Sequence, residues 1–239
     1  MVRILIISDI HGNYPALQAV ADHADIKACD YIFNCGDSTV YAPFANQVLH
    51  WLGKHNVISI LGNTDCKIIK LLKGKTFKKP STQEKRVMYT HTAETLTRKN
   101  RLFLAGMTKK KSLKIKKKRI AMFHGSSEKH TELLFATTPK RRFQELADHS
   151  RANIIITGHS HTPYSKTIAK THFINPGSVG RMFDGNPHAS FALLTLEKSG
   201  VQVELKRCDY DIEAVVTKLA DEDLPHIYAE MYRKGKKLN

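Results

Sequence analysis

Ile4-Leu5-Ile6-Ile7-Ser8-Asp9-Ile10-His11-Gly12-Asn13 decides how this chain is read. Four apolar residues run unbroken and end at an Asp and a His one residue apart. A run that is apolar on both faces predicts a strand covered on both sides, as in a parallel sheet. Its end then delivers a carboxylate and an imidazole to one spot. The device recurs four times. Tyr31-Ile32-Phe33-Asn34-Cys35 leads to Gly36-Asp37, and Asn56-Val57-Ile58-Ser59-Ile60-Leu61 leads to Gly62-Asn63-Thr64-Asp65. Ile120-Ala121-Met122-Phe123 leads to His124-Gly125-Ser126, and Asn153-Ile154-Ile155-Ile156-Thr157 leads to Gly158-His159-Ser160-His161.

Between the first three runs lie helical patterns over 14–23, with Pro15 in the first turn, and over 44–54, stopping near Gly53. Strand, helix, strand, helix, strand implies right-handed crossovers and a largely parallel sheet. Residues 66–90, Lys-rich with Gly74 and Pro80, predict an excursion over the surface. Thr92 predicts the cap of a helix over 93–105, and two strands joined by a basic turn are expected across 109–123. Thr138 and Pro139 predict a helix start, running to about His149. Beyond residue 161 the pattern changes to short β-type segments at 163–169, 171–174, 190–196 and 201–206. Turn signals separate them, at Asn175-Pro176-Gly177, Asp184-Gly185-Asn186-Pro187 and Ser199-Gly200. These predict antiparallel strands of a second sheet. Asp211 predicts a cap for a helix to about Ala220, and a last helical piece is expected over 225–233. No linker divides the chain, so 1–239 reads as a single domain.

Composition bounds the function. The 239 residues carry 41% hydrophobic and 25% charged side chains, ordinary for a globular protein. Lys and Arg number 38 against 22 Asp and Glu, a formal charge of +16 that favours anionic partners. No run approaches the ~18 apolar residues of a membrane span, which argues against a membrane partner. No signal peptide is visible, and Cys29, Cys35, Cys66 and Cys208 show no C-x-x-C spacing; they read as reduced thiols of a cytoplasmic protein.

Five strand ends collect Asp9, His11, Asp37, Asn63, His124, His159 and His161. Ligands of open α/β sheets gather beyond the carboxyl ends of the strands, so these groups are expected in one crevice. Imidazole mixed with carboxylate suits divalent ions such as Mn, Fe or Zn. Seven donors exceed one tetrahedral site and suit two ions with positions left for water and substrate. One such residue alone would be a helix cap or a core histidine; seven in order are not.

Taken together, Asp9-Ile10-His11, Gly36-Asp37, Gly62-Asn63-Thr64-Asp65, His124-Gly125 and Gly158-His159-Ser160-His161 resemble the ordered motifs of the calcineurin-like metallophosphoesterases. The resemblance spans about 1–197. Asp9-Ile10-His11-Gly12-Asn13, Phe123-His124-Gly125-Ser126 and Asn175-Pro176-Gly177-Ser178-Val179-Gly180 are most similar to its small prokaryotic phosphodiesterases. The resemblance implies a four-layer α/β sandwich, two packed mixed β-sheets flanked by helices. It implies two divalent ions, foremost Mn²⁺, with Fe, Ni, Zn, Co or Mg as alternatives. One ion would take Asp9, His11, Asp37 and His161; the other Asp37, Asn63, His124 and His159, with Asp37 bridging. It implies phosphate-ester hydrolysis by in-line attack of a hydroxide shared by the ions, with Asp37, Asn63 and His124 in the catalytic centre and Asp65 orienting it from behind.

Many relatives carry a His after the Asn of the third motif, thought to protonate the leaving group. Here Thr64 stands there, so activated leaving groups are favoured, with His130 or His188 conceivable replacements. Asn13 either lines the site or caps the first helix. Asn175 and Arg181 either contact substrate or serve a turn and the surface. The lysines of 109–119 either form a solvated turn or grip nucleic acid. Expected partners are a phosphate-ester small molecule or nucleotide, nucleic acid as an alternative, and a homo-oligomeric copy. Two other functions compete: a non-catalytic binding scaffold on the same fold, like the retromer subunit of the superfamily, and a nuclease or nucleic-acid-directed phosphodiesterase.

Overall fold

The computed structural model describes residues 1–77, 82–198 and 200–239. Pro80 and Ser199, two of the turn signals above, lie outside the described residues. The strand ending at Asp9 is β1, Val2–Ile7. It pairs in parallel with β2, Tyr31–Asn34, which pairs in parallel with β3, Ile58–Ser59. Helices α1 (Tyr14–His23) and α2 (Ala45–Lys54) make the crossovers. On the other side of β1 lie β9 (Ala189–Leu196) and β10 (Val201–Cys208), antiparallel, giving the order β10-β9-β1-β2-β3.

The remaining strands form a second sheet. They are β4 (Lys110–Ile115), β5 (Lys118–Phe123), β6 (Ile154–Ile156), β7 (Tyr164–Ile168) and β8 (Thr171–Asn175), in the order β4-β5-β6-β8-β7. Strands β5, β6 and β8 are parallel, with antiparallel β4 and β7 at the edges. The late β segments therefore do not make a sheet of their own. Two join the strands of the first half, and two join the strands that end at His124 and Gly158. Pattern alone gives each strand's existence and face; which sheet adopts it is decided by the packing of the whole chain.

The layers follow from the two-residue alternation of strands. Ile4 and Ile6 of β1, Ile120 and Met122 of β5, and Ile154 and Ile156 of β6 meet in one buried layer between the sheets. Leu5 and Ile7 point outward, onto a layer shared with Leu17, Val20, Val48, Leu52, Val215 and Tyr228 of the helices. Ala121 and Ile155 point the other way, onto Phe143 and Leu146 of α6, Lys140–Ser150. Helix, sheet, sheet, helix is the four-layer arrangement expected, and each fully buried Ile or Leu contributes roughly 1.5–3 kcal/mol.

Several boundaries differ from the sequence reading. Residues 63–72 and 83–95 form helices α3 (Asn63–Leu72) and α4 (Gln83–Thr95), where an excursion was expected. Helix α4 is polar around most of its circumference and buries only Met88, Tyr89 and Thr92, so its period is faint in the sequence. Thr92 is inside α4, not at a helix start. Thr82 caps α4 and Thr97 caps a separate α5, Arg98–Ala105. Pro139, not Thr138, holds the N-cap position of α6. Asp211 caps α7, Ile212–Asp221, as expected, and α8, Ile227–Lys234, closes the chain.

Candidate metal centre

Both parallel trios end at the same edge of the sandwich, and every ligand candidate sits just past one of those ends. Backbone bonds tie the loops together. Asp9 N–H donates to the Gly36 carbonyl at 2.9 Å and His11 N–H to that of Asp37 at 2.8 Å. Val179 N–H donates to Ser8 and Gly180 N–H to Asp9, each at 3.0 Å, and Gly158 N–H donates to His124 at 2.9 Å. The site is thus a seam between the two sheets.

Five of the seven ligand candidates have left-handed backbone: Asp9 (φ 52°), His11 (52°), Asp37 (53°), His159 (65°) and His161 (53°). An L-residue there costs of order 1–3 kcal/mol and persists only where the surroundings enforce it. The strain turns each side chain back over the strand ends. Two glycines make room. A Cβ on Gly62 would lie 2.0 Å from Asp37 Oδ1, and one on Gly158 would lie 2.0 Å from Ser8 Oγ and 2.7 Å from Asp9 Oδ2.

The donors fall into two clusters, Asp9 with His11 and His161, and Asp37 with His124 and His159. In the first, His161 Nε2 is 3.3 Å and His11 Nε2 3.9 Å from Asp9 Oδ1, and the two Nε2 atoms are 3.2 Å apart. In the second, His124 Nε2 is 3.5 Å from Asp37 Oδ2 and 3.1 Å from Asn63 Oδ1. Asp37 Oδ2 is also 3.9 Å from His11 Nε2, so its carboxylate lies between the clusters.

The histidine tautomers follow from their outer nitrogens. His11 Nδ1 faces the Val40 carbonyl at 2.8 Å, His124 Nδ1 that of Cys35 at 2.8 Å, and His161 Nδ1 that of Arg181. A carbonyl only accepts, so each Nδ1 carries a proton and each Nε2 is left facing inward, where it can present a lone pair to a cation. In the first cluster His11 Nε2, His161 Nε2 and the Asp9 carboxylate converge, and Asp9 Oδ1 is buried without a hydrogen-bond partner. Such a set calls for positive charge at its centre, a proton or a metal ion. The residues therefore fit divalent ions, on the lone pairs they aim at a common point.

The electrostatics agree. Burial pushes His11 down to about 3 and His159 down to about 4, so both stay neutral and available as ligands. Burial also works against a charged His124, but the Asp37 carboxylate outweighs it and raises that imidazole to about 9. Without metal, a proton on His124 takes the cation's place beside Asp37 and Asn63. Asp37 is held well below the usual carboxylate range, since the pull of His124 overcomes burial. For Asp9, His161 overcomes burial in the same way, to about 2.

Asp65 lies behind the ligands. Its carboxylate accepts from the N–H groups of Gly62 (3.0 Å), Ser38 (3.1 Å) and Thr39 (3.0 Å), and from Thr39 Oγ1 (2.7 Å). It thereby fixes the loops bearing Asp37 and Asn63. Burial and the Asp37 charge raise it to about 6, yet four donors aimed at it match an ionised acceptor. Thr64 donates its N–H to Asp37 Oδ1 at 2.8 Å, and its hydroxyl donates to the Thr39 carbonyl at 3.3 Å. His130 lies beside the second cluster, its ring 5.6 Å from that of His124 and its Nε2 3.9 Å from Cys66 Sγ. His188 is exposed on the β8–β9 connection, where its N–H donates to Asn186 Oδ1, and it belongs to neither donor cluster.

The three substrate candidates are buried. Asn13 caps α1 through Ala16 N–H and donates to the Gly180 carbonyl. Asn175 donates to the Gly158 carbonyl and to Ser160 Oγ. Both place ligand-bearing loops. Arg181 is not on the surface: its guanidinium carbon lies 3.9 Å from the Tyr41 ring centre, and its carbonyl holds His161. Sequence reasoning did not find the residues that orient the ligands: the carbonyls of Val40, Cys35 and Arg181, or Ser8, whose Oγ donates to Asp9 Oδ2 at 2.6 Å. Backbone carbonyls leave no mark on residue type. Ser8 stands next to Asp9 and was legible only as a neighbour.

This fold and donor set define a metallophosphoesterase, and the sequence profile of the calcineurin-like phosphoesterase superfamily domain matches residues 2–199. The chain belongs to that superfamily. It is 26% identical over 250 residues to an uncharacterized protein of Methanocaldococcus jannaschii, covering 98% of each chain. Among solved structures it resembles a metallophosphoesterase from Sphaerobacter thermophilus, with 23% identity, TM-score 0.79, and 98% and 99% of the two chains covered. It also resembles hypothetical protein PH1004 from Pyrococcus horikoshii OT3, with 20% identity, TM-score 0.86 and both chains fully covered. These two likenesses bear on the fold.

Proposed function

We propose that the protein is a dinuclear metal-dependent phosphodiesterase, with Mn²⁺ as its foremost metal. One observation carries this: the Asp37 carboxylate stands between two donor clusters, 3.9 Å from His11 Nε2 and 3.5 Å from His124 Nε2. Asp9, His11, Asp37 and His161 would hold one ion, and Asp37, Asn63, His124 and His159 the other. Bound there, divalent ions supply Lewis acidity to phosphate oxygens and acidify water. The chain's own groups hold the geometry. Asp65 keeps the Asp37 and Asn63 loops in register, and the Nδ1 bonds fix the rings so that no reorganisation is needed during turnover.

The preference for diesters and activated leaving groups is supported at Thr64. Its hydroxyl is engaged with the Thr39 carbonyl, so the motif offers no imidazole to a departing alkoxide. His130, beside His124, is the replacement this reading favours. Four cysteines without disulfides and no described helix long and apolar enough to cross a membrane accord with a cytoplasmic setting. Turnover of an aryl phosphodiester and an aryl monoester by metal-loaded protein tests the assignment. Mn²⁺-dependent cleavage of the diester, lost in Asp37→Ala, is expected. Cleavage without metal, or retained in that variant, sinks it.

A further inference from the structure

Arg181 poses a charge problem that the metal centre does not solve. It is 7% exposed, and a guanidinium stays protonated at any ordinary pH. Among the described residues no carboxylate lies within 4 Å of it. Its Nη2 meets only Met231 Sδ, at 3.0 Å. The rings of Tyr41, Phe183 and Tyr228 stand 3.9, 5.2 and 5.5 Å from its central carbon. Aromatic faces ease a cation's burial but accept no strong hydrogen bond from Nε–H. That Nε is buried with no partner, and so is the hydroxyl of Tyr232. An unpaired buried charge costs several kcal/mol.

Both residues line the same cavity, of about 10 Å³, together with Gly180, Phe183, Tyr210 and Met231. That is about the room one water needs, and a halide, somewhat larger, is the next single-atom guest if the lining gives slightly. Phosphate, sulfate and carboxylate ligands are too large. Water fits and can serve both orphaned groups, but it leaves the charge standing. The nearest carboxylates, Asp9 and Asp37, belong to the metal centre and make no ion pair with the guanidinium; His11 feels both of them together with Arg181.

We propose that this cavity is a binding site for a single halide-sized anion, chloride in the cell. The anion accepts from Arg181 Nε–H and Tyr232 O–H. Because the Arg181 carbonyl holds His161 Nδ1 and the Phe183 ring stacks on His161 at 4.4 Å, the anion also braces one face of the first donor cluster. It likewise ties α8, which carries Met231 and Tyr232, to the loop after β8. The inference does not depend on which phosphate ester the protein cleaves.

The test is thermal unfolding of the full-length protein in sodium chloride or bromide against sodium gluconate at matched ionic strength. The unfolding midpoint is expected to rise saturably with halide, by roughly 3–5 °C at tenfold excess over Kd, and not with gluconate. Tyr232→Phe should weaken this response and Arg181→Gln remove it. Because Arg181→Gln risks misfolding, the second arm uses the unaltered protein: crystals grown in bromide should show an anomalous peak in the cavity, within hydrogen-bond reach of Arg181 Nε. A water there with no anomalous signal, or equal responses to halide and gluconate, overturns the proposal.

Discussion

The two donor clusters differ in one respect above all. Asp9, His11 and His161 are all buried, and both rings are locked through Nδ1 to backbone carbonyls. In the other cluster His124 is locked in the same way, but His159 and Asn63 are half-exposed. The first cluster is a sealed socket and the second an open one. A metal held by the sealed set should exchange slowly. On the proposed function, substrate and leaving group approach from the open set, which His130 and Thr64 flank. Asp37 stands between the two, so in the proposed centre the ions act as a pair.

The largest expected effect breaks that link. Asp37→Ala should lower diester turnover by about 10³-fold or more while the far-UV CD spectrum stays native. A variant that still turns over at a tenth of the native rate would disprove a shared carboxylate. Next comes the asymmetry itself. His161→Ala should leave the protein unable to retain a full metal complement through dialysis, whereas His159→Ala should bind fewer ions yet keep the one in the sealed socket. Metal content by elemental analysis decides this, and equal losses in both variants would erase the distinction. Asp65→Asn, which disturbs only the groups behind the ligands, should cost about 10–100-fold in activity or metal affinity.

A smaller effect concerns protons. His124 is raised to about 9 in the metal-free site, and a ligand must be deprotonated to bind. Metal affinity of the second cluster should therefore climb with pH and level off near pH 9, with about one proton released as the site holding His124 fills at pH 7. The folding stability that the His124–Asp37 pair gives the metal-free protein runs the other way. It is fully present below the unfolded value of about 6.5 and lost as pH rises through about 9. Calorimetry in buffers of different ionisation enthalpy measures the proton count; none released would mean that His124 is not a ligand. Smallest is His130→Asn, expected to slow poor leaving groups by about 10²-fold at most and to spare aryl leaving groups. Equal slowing of both would remove His130 from leaving-group chemistry.

Legibility in the sequence followed the physics of each feature. Strands β1, β2, β5 and β6 announced themselves because burial on both faces demands unbroken apolar runs. Helix α1 was readable to its ends, since Asn13 and Pro15 mark its start. Helix α4 was not, because it buries only one narrow strip and its other faces are polar. Arg181 looked like a surface residue because residue type says nothing of the three aromatic rings that enclose it.

By itself the sequence determined which donors gather in the crevice, because a donor placed within a few residues past a buried strand has nowhere to point except the strand-end crevice. Tertiary structure decided the rest. It divided the strands between two sheets, so the crevice became a seam rather than the edge of one sheet. It forced five ligands into left-handed backbone, and it chose the carbonyls that set each imidazole's tautomer. Those choices depend on contacts between residues far apart in the chain, 150 positions in the case of His11 and His161, and no local pattern records them.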